Sequence, residues 1–141
     1  VSTTTGVMDF TNTGTLDVTG NIGNSPTKDW TFHMQGGTVT GASLYMNTSV
    51  ASHINLTAGT IDVTALVLNT NTPSIYTNNT IDVTEGVLIA DGDNREEWGV
   101  LIEEGVFTAE GGSGGIAARY DSGTDTTTLL QVPFGTVISI N

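Results

Sequence analysis

The chain has 141 residues, the size of one domain, and sets fifteen acidic groups against three basic ones for a net charge of −12. That balance excludes nucleic acid, whose phosphates must be met by Lys or Arg that displace counterions, and it excludes anionic membrane surfaces on the same ground. No apolar run approaches the roughly 20 residues that span a bilayer, and the absence of cysteine removes both a disulfide framework and a thiolate site.

Along the chain, one short phrase returns four times: Gly14-Thr-Leu-Asp-Val-Thr19, Gly37-Thr-Val-Thr-Gly-Ala42, Gly59-Thr-Ile-Asp-Val-Thr64 and Asn79-Thr-Ile-Asp-Val-Thr84. The copies begin at positions 14, 37, 59 and 79, hence 23, 22 and 20 residues apart. A strand-like phrase recurring at that period marks a solenoid, whose repeats bury their apolar faces only by stacking on neighbours. Within each phrase the residues alternate, Ile61 and Val63 against Thr60, Asp62 and Thr64, as a strand with one buried face requires. Alignment of the copies stacks Leu16, Val39, Ile61 and Ile81 inside. Outside stand two columns, one of Thr15, Thr38, Thr60 and Thr80 and one of Asp17, Thr40, Asp62 and Asp82.

A second strip precedes the phrase. Phe32, Ile54 and Ile75 recur on its inner side, with His33, Asn55 and Tyr76 outside. A third strip follows it, with Leu44, Leu66 and Leu88 inside and Tyr45, Val67 and Ile89 opposite. Three strands per turn of about 22 residues predict an all-β fold, a right-handed parallel β-helix, over residues 1–90. Residues 91–141 are expected to form a C-terminal cap of the same domain. In it, Asp93 or Asn94 caps one short helix with Trp98, Leu101 and Ile102 on a single face and Gly105 at its end. That helix is expected to cover the apolar runs at Val67 and Ile89. Short strands follow at 106–109, 116–120, 126–132 and 137–140, with a hairpin turn over Asp121–Asp125.

The cap segment, with Leu101-Ile-Glu-Glu-Gly105, the glycine-rich turn Gly111–Gly115, Tyr120-Asp121 and the Thr-rich stretch from Thr126 to Leu129, resembles a pattern in secreted bacterial β-solenoid modules. Such modules are appended to marine polysaccharide-degrading or surface proteins, and the upstream Gly-Thr-Ile-Asp-Val-Thr phrases are similar to theirs. The resemblance implies a secreted, extracellular accessory module, carbohydrate-binding and monomeric, within a larger multimodular protein. It carries over no catalytic residue. A start at Val1 rather than Met agrees with a module or a mature product.

The residues themselves restrict the chemistry open to the chain. Lyases of acidic sugars need a cationic base and partners for the substrate carboxylate, whereas Lys28, Arg95 and Arg119 are scattered. Hydrolases need two carboxylates about 5–10 Å apart across a cleft; Asp17, Asp62 and Asp82 fall on a flat strip, so no enzyme is expected. An ice-binding face would need Thr in both outer columns, and Asp fills one of them. Asp62 and Asp82, placed on adjacent coils about 4.8 Å apart, would repel unless hydrated or bridged by a hard cation. Asp91 and Asp93, in Asp91-Gly-Asp93-Asn94, resemble part of a calcium loop without its later ligands, which makes calcium the one cofactor candidate. His33 and His53 share an outer strip but have no third ligand for zinc. Sugar rings stack on aromatic faces while polar neighbours orient their hydroxyls. Two candidate patches follow: His33, Asn55 and Tyr76 on the second strip, and Tyr45, Trp98, Arg119 and Tyr120 around the cap. The sequence reading is therefore a non-catalytic module for neutral or weakly charged polysaccharide, with a structural spacer or adhesin stalk as runner-up.

Overall fold

In a computed structural model the chain is a β-solenoid of about four turns, with a spacing near 23 residues. The described residues are 6–11, 13–23, 29–47, 51–69 and 79–133. The strands are β1 (Gly6–Phe10), β2 (Thr15–Gly23), β3 (Trp30–Asn47), β4 (Ser52–Asn69), β5 (Asn79–Val83) and β6 (Val87–Asp91). Helix α1 (Arg95–Glu103) follows, then β7 (Phe107–Ala109), β8 (Gly115–Asp121) and β9 (Thr126–Val132). Strands β1 to β7 pair in parallel, while β9 lies antiparallel on β6 and β8 antiparallel on β9.

Each long strand bends through the three strips the alternation predicts. In β3 and β4, residues near Phe32 and Ile54, the strip that precedes the repeated phrase, form the first strip in chain order, Val39 and Ile61 the next, and Leu44 and Leu66 the last, all in register. The ladder slips between Met34 and Thr38, at the corner where Gly37 and Gly59 take left-handed φ of 67° and 86°. A Cβ on Gly59 would come within 2.6 Å of the Gly36 backbone, so both the dihedral and the close approach of stacked corners demand glycine there.

Beyond residue 70 the observed register departs from the expected one. The fourth copy of the phrase does not stack on the third. Asn79–Val83 pairs with Ser52–Leu56 of the first strip, and Val87–Ala90 takes the place beside Thr60–Val63. The first interior column is therefore Met8, Phe32, Ile54, Ile81 and Phe107, and the second is Leu16, Val39, Ile61 and Leu88. Phe32, Ile54, Ile61, Ile81 and Leu88 are fully buried. The expected positions of Ile81 under Ile61 and of Leu88 under Leu66 are corrected, and Ile75 and Tyr76 lie outside the described residues. The physical reason is that the phrase encodes only an alternating strand, which fits any strip. Ile54 follows Phe32 by 22 residues but Ile81 follows Ile54 by 27, so this longer coil moves the phrase one strip back.

The cap closes one end of the core. Trp98 and Leu101 of α1 are buried, and Trp98 meets the Phe107 ring edge-on at 5.6 Å between centroids. The helix ends as the sequence predicts: Gly105 N–H donates to the Ile102 carbonyl and Val106 N–H to that of Leu101, a Schellman closure with Gly105 at φ 75°. Its packing corrects another expectation, because its main partners are β7 and β8, not the outer side of Val67 and Ile89. In chain order α1 stands where a third-strip strand would stand, which leaves Leu66 and Leu68 half-buried against the core. The Asp121–Asp125 turn forms as expected, and residues 137–140 lie outside the described residues. Among the described residues no helix is long and apolar enough to cross a membrane.

Two tests address this packing. Ile61→Asp should cost several kcal/mol by burying an unpaired charge, while Thr60→Asp on the outer side should be nearly neutral; equal melting temperatures for the two variants would contradict the inside–outside assignment. The register can be read by cross-linking, since the native chain has no cysteine. Asn55→Cys with Asp82→Cys should form an intramolecular disulfide, because neighbouring strands hold their Cα atoms within bonding reach. Asp62→Cys with Asp82→Cys should not, and the opposite pattern would restore the alignment of the sequence phrases.

Candidate functional site

The first strip carries an ordered, hydrogen-bonded polar surface. Its inner side chains are the aromatic and aliphatic column just described, so alternation turns the intervening residues to solvent. One outer column runs Asp9, His33, Asn55, Asp82 and Thr108, and its neighbour runs Val7, Thr31, His53 and Thr80. Hydrogen bonds tie the columns along the solenoid axis. Asn55 Nδ2 donates to His33 Nδ1 at 3.0 Å, and because an amide nitrogen only donates, that imidazole nitrogen is the acceptor. His53 Nδ1 and Thr80 Oγ1 are 2.7 Å apart. Asp82 Oδ1 accepts from Thr108 Oγ1 at 2.7 Å and from the Gly111 amide at 2.9 Å. Side chains held this way offer hydroxyl-matching donors and acceptors without first losing much rotamer entropy.

His33 and Asn55 are thus brought together as expected, and Tyr76 lies outside the described residues. Asp82, Thr80 and Thr108 are members that the sequence reading missed at this site. Their strand alternation is visible in the sequence, but the shift by one strip that brings them here is not. The same shift corrects the expected crowding of Asp62 and Asp82. Asp62 stands next to Thr40 and Ile89, and Asp82 next to Asn55 and Thr108. Asp17, at the head of the other Asp column, accepts a hydrogen bond from Thr40 Oγ1.

The cap residues have other employment. Trp98 is 1% exposed and wedged against Phe107, which corrects its assignment as a sugar platform. Tyr120 is half-buried, with the Arg95 guanidinium 5.4 Å from its ring centroid and its hydroxyl donating to Asp125 Oδ1 at 2.7 Å. Arg119 is exposed on the opposite side of β8, and Tyr45 sits on the third strip between Gly23 and Val67. Both Asp93 oxygens are engaged by Arg95, through Nε at 2.9 Å and Nη2 at 2.7 Å. Asp91 is exposed. The turn they bracket is fastened to β9: Asn94 N–H donates to Thr127 Oγ1, Thr127 Oγ1 to the Gly92 carbonyl, and Gly92 N–H to the Asp125 carbonyl. Among the described residues no group of three or more His, Asp or Glu is arranged to hold a metal ion.

This surface network perturbs three groups. The hydrogen bond from Arg95 holds the Asp93 carboxyl below its ordinary value, and the same bond raises Arg95. The hydrogen bond to Asp125 raises the Tyr120 phenol, helped by burial and by the charges of Asp125 and Asp93 and opposed by that of Arg95. No family model, curated protein or solved structure matches this chain, so the site rests on its own geometry.

The network gives a signed pH dependence. A depressed Asp93 contributes stability that is present above its unfolded value and lost as pH falls through the folded value, whereas a raised Tyr120 contributes stability present below its unfolded value and lost as pH rises through the folded one. Melting temperature against pH should therefore lose part of its acid limb in Asp93→Asn and part of its alkaline limb in Tyr120→Phe. Both effects should be small because solvent screens the network. Limbs identical to the wild type in both variants would show that the bonds are not held in solution.

Proposed function

We propose that this chain is a non-catalytic, extracellular polysaccharide-binding module that holds an attached protein on a neutral or weakly charged glycan. The observation that carries the reading is the first-strip ladder, a flat polar face whose imidazole, amide, carboxylate and hydroxyl groups are already hydrogen-bonded into fixed positions. Successive rungs stand at the strand spacing of about 4.8 Å, so an extended polymer lying along the axis meets a polar, hydrogen-bonding side chain at each rung from Asp9 to Thr108. The surplus of twelve negative charges disfavours polyanions.

A structural stalk is the second reading, and one observation favours it. The interior columns reach the edge of the first coil with Met8 46% and Leu16 41% exposed, as stacking surfaces would be. A stalk, however, has no use for the pre-oriented ladder.

Retention on agarose, β-glucan, xylan and alginate at low and high salt separates the readings. A neutral polymer should retain the protein with little dependence on salt, because no counterions are released. His33→Ala combined with Asn55→Ala should weaken binding about tenfold, as expected for one or two lost hydrogen bonds, and should leave the circular dichroism spectrum intact. Retention on none of the polymers would favour the stalk; retention on alginate alone, abolished by salt, would point to cation-bridged binding of an acidic polymer.

A further inference from the structure

Where the ladder meets the cap, a groove of about 470 Å³ opens between the corner Thr84–Val87, the turn after β7 and the end of the β8–β9 hairpin. That volume falls within the range of small-ligand sites. We infer that this groove is the ring-binding subsite of the module, holding one neutral sugar ring of a chain that lies along the first strip. The inference rests on the polysaccharide reading and adds the place and chemistry of a specific contact.

Four observations carry it. The groove adjoins the ladder, since Thr84 comes directly after β5, which carries Thr80 and Asp82, and Glu110 directly after β7, which carries Thr108. The Asp82 carboxylate also accepts from Gly111 N–H in the groove's own turn. Its lining divides into two kinds of surface. Val87 and Leu130, direct partners across the β6–β9 pair, give a half-buried apolar patch suited to the C–H face of a ring. The rest of the lining includes residues that carry acceptors and donors for ring hydroxyls: Glu85, Glu110, Gln131 and Ser113. Among the described residues no Lys or Arg lines it, which disfavours a uronate or sulfated ring. Finally, Glu110 is held in place at a cost. It adopts a left-handed φ of 50°, unusual for a residue with a Cβ, while Gln131 Nε2 donates to its Oε1 at 2.7 Å and Ser113 Oγ donates to its carbonyl at 2.8 Å. A glycine would make this turn without strain, yet the position carries a carboxylate among the residues that line the groove.

Amide chemical-shift titration of the full chain with cellobiose, xylobiose and mannobiose in turn tests the assignment. At least one disaccharide should shift the amides of Ser113, Gly114, Gly115 and Gln131 together. Glu110→Gly should weaken that binding about tenfold while the melting temperature stays level or rises, because the variant removes the carboxylate and relieves the backbone at once. Gln131→Ala, which frees the Glu110 carboxylate to move, should also weaken it. The subsite is overturned if both variants titrate like the wild type, if shifts appear only around His33 and Asn55, or if none of the disaccharides binds. The two readings fail separately. Polymer retention unaffected by Glu110→Gly leaves the ladder face standing without the groove, and disaccharide shifts that survive His33→Ala with Asn55→Ala leave the groove standing without the ladder.

Discussion

Everything in this molecule depends on like stacking on like along the solenoid axis. Phe32, Ile54, Ile81 and Phe107 sit one above another with almost no exposure, held at strand spacing by the parallel ladders that flank them. Each coil alone has too little apolar surface to offset the entropy of ordering its residues, so the column is the unit of stability. Because the backbone repeats, the outer side chains must also fall into columns. The core thus fixes where the outer columns lie, while the residues that fill them and the hydrogen bonds between them are a separate choice of the sequence.

The arrangement leaves two ends to manage, and the described chain treats them differently. At the end nearest β7, α1 turns Trp98 and Leu101 inward, and the antiparallel pair of β9 on β6 brings Leu129 beside Leu88 on the buried side. The change from parallel to antiparallel pairing ends the coil series, since a hairpin cannot propagate the crossover geometry. At the other end Met8 and Leu16 belong to the same interior columns yet remain partly in water. Exposure of these two columns is therefore confined to the first coil, since Phe32 and Val39 of the next are already buried.

Charge is placed to suit this plan. With fifteen acids on a small solenoid, repulsion is kept low by interleaving: Asp17 and Asp62 are separated by Thr40, and Asp82 lies between Asn55 and Thr108. Several carboxylates are turned into hydrogen-bond acceptors for neighbouring hydroxyls or amides, as at Asp82 and Asp17. A carboxylate so employed orients its neighbours, which is the property a hydroxyl-rich ligand exploits.

The sequence by itself determined the solenoid, its period, the inside and outside of Phe32, Val39, Leu44, Ile54 and Ile61, and the helix ending at Gly105. Each of these follows from local alternation or local capping chemistry. It also brought His33 next to Asn55, because the coils at 30–69 have equal length. Only the tertiary structure decided which strip the fourth phrase would occupy. The alternation of the phrase fits a strand of either strip, and the choice depends on the length of the coil before it. That one choice carried Asp82 away from Asp62 and onto the ladder. The tertiary structure likewise decided the burial of Trp98 and the groove between Glu110, Gln131 and Leu130. These residues are distant in sequence or ambiguous in pattern, and nothing local in the chain distinguishes a side chain that will be wedged into a core from one that will meet solvent.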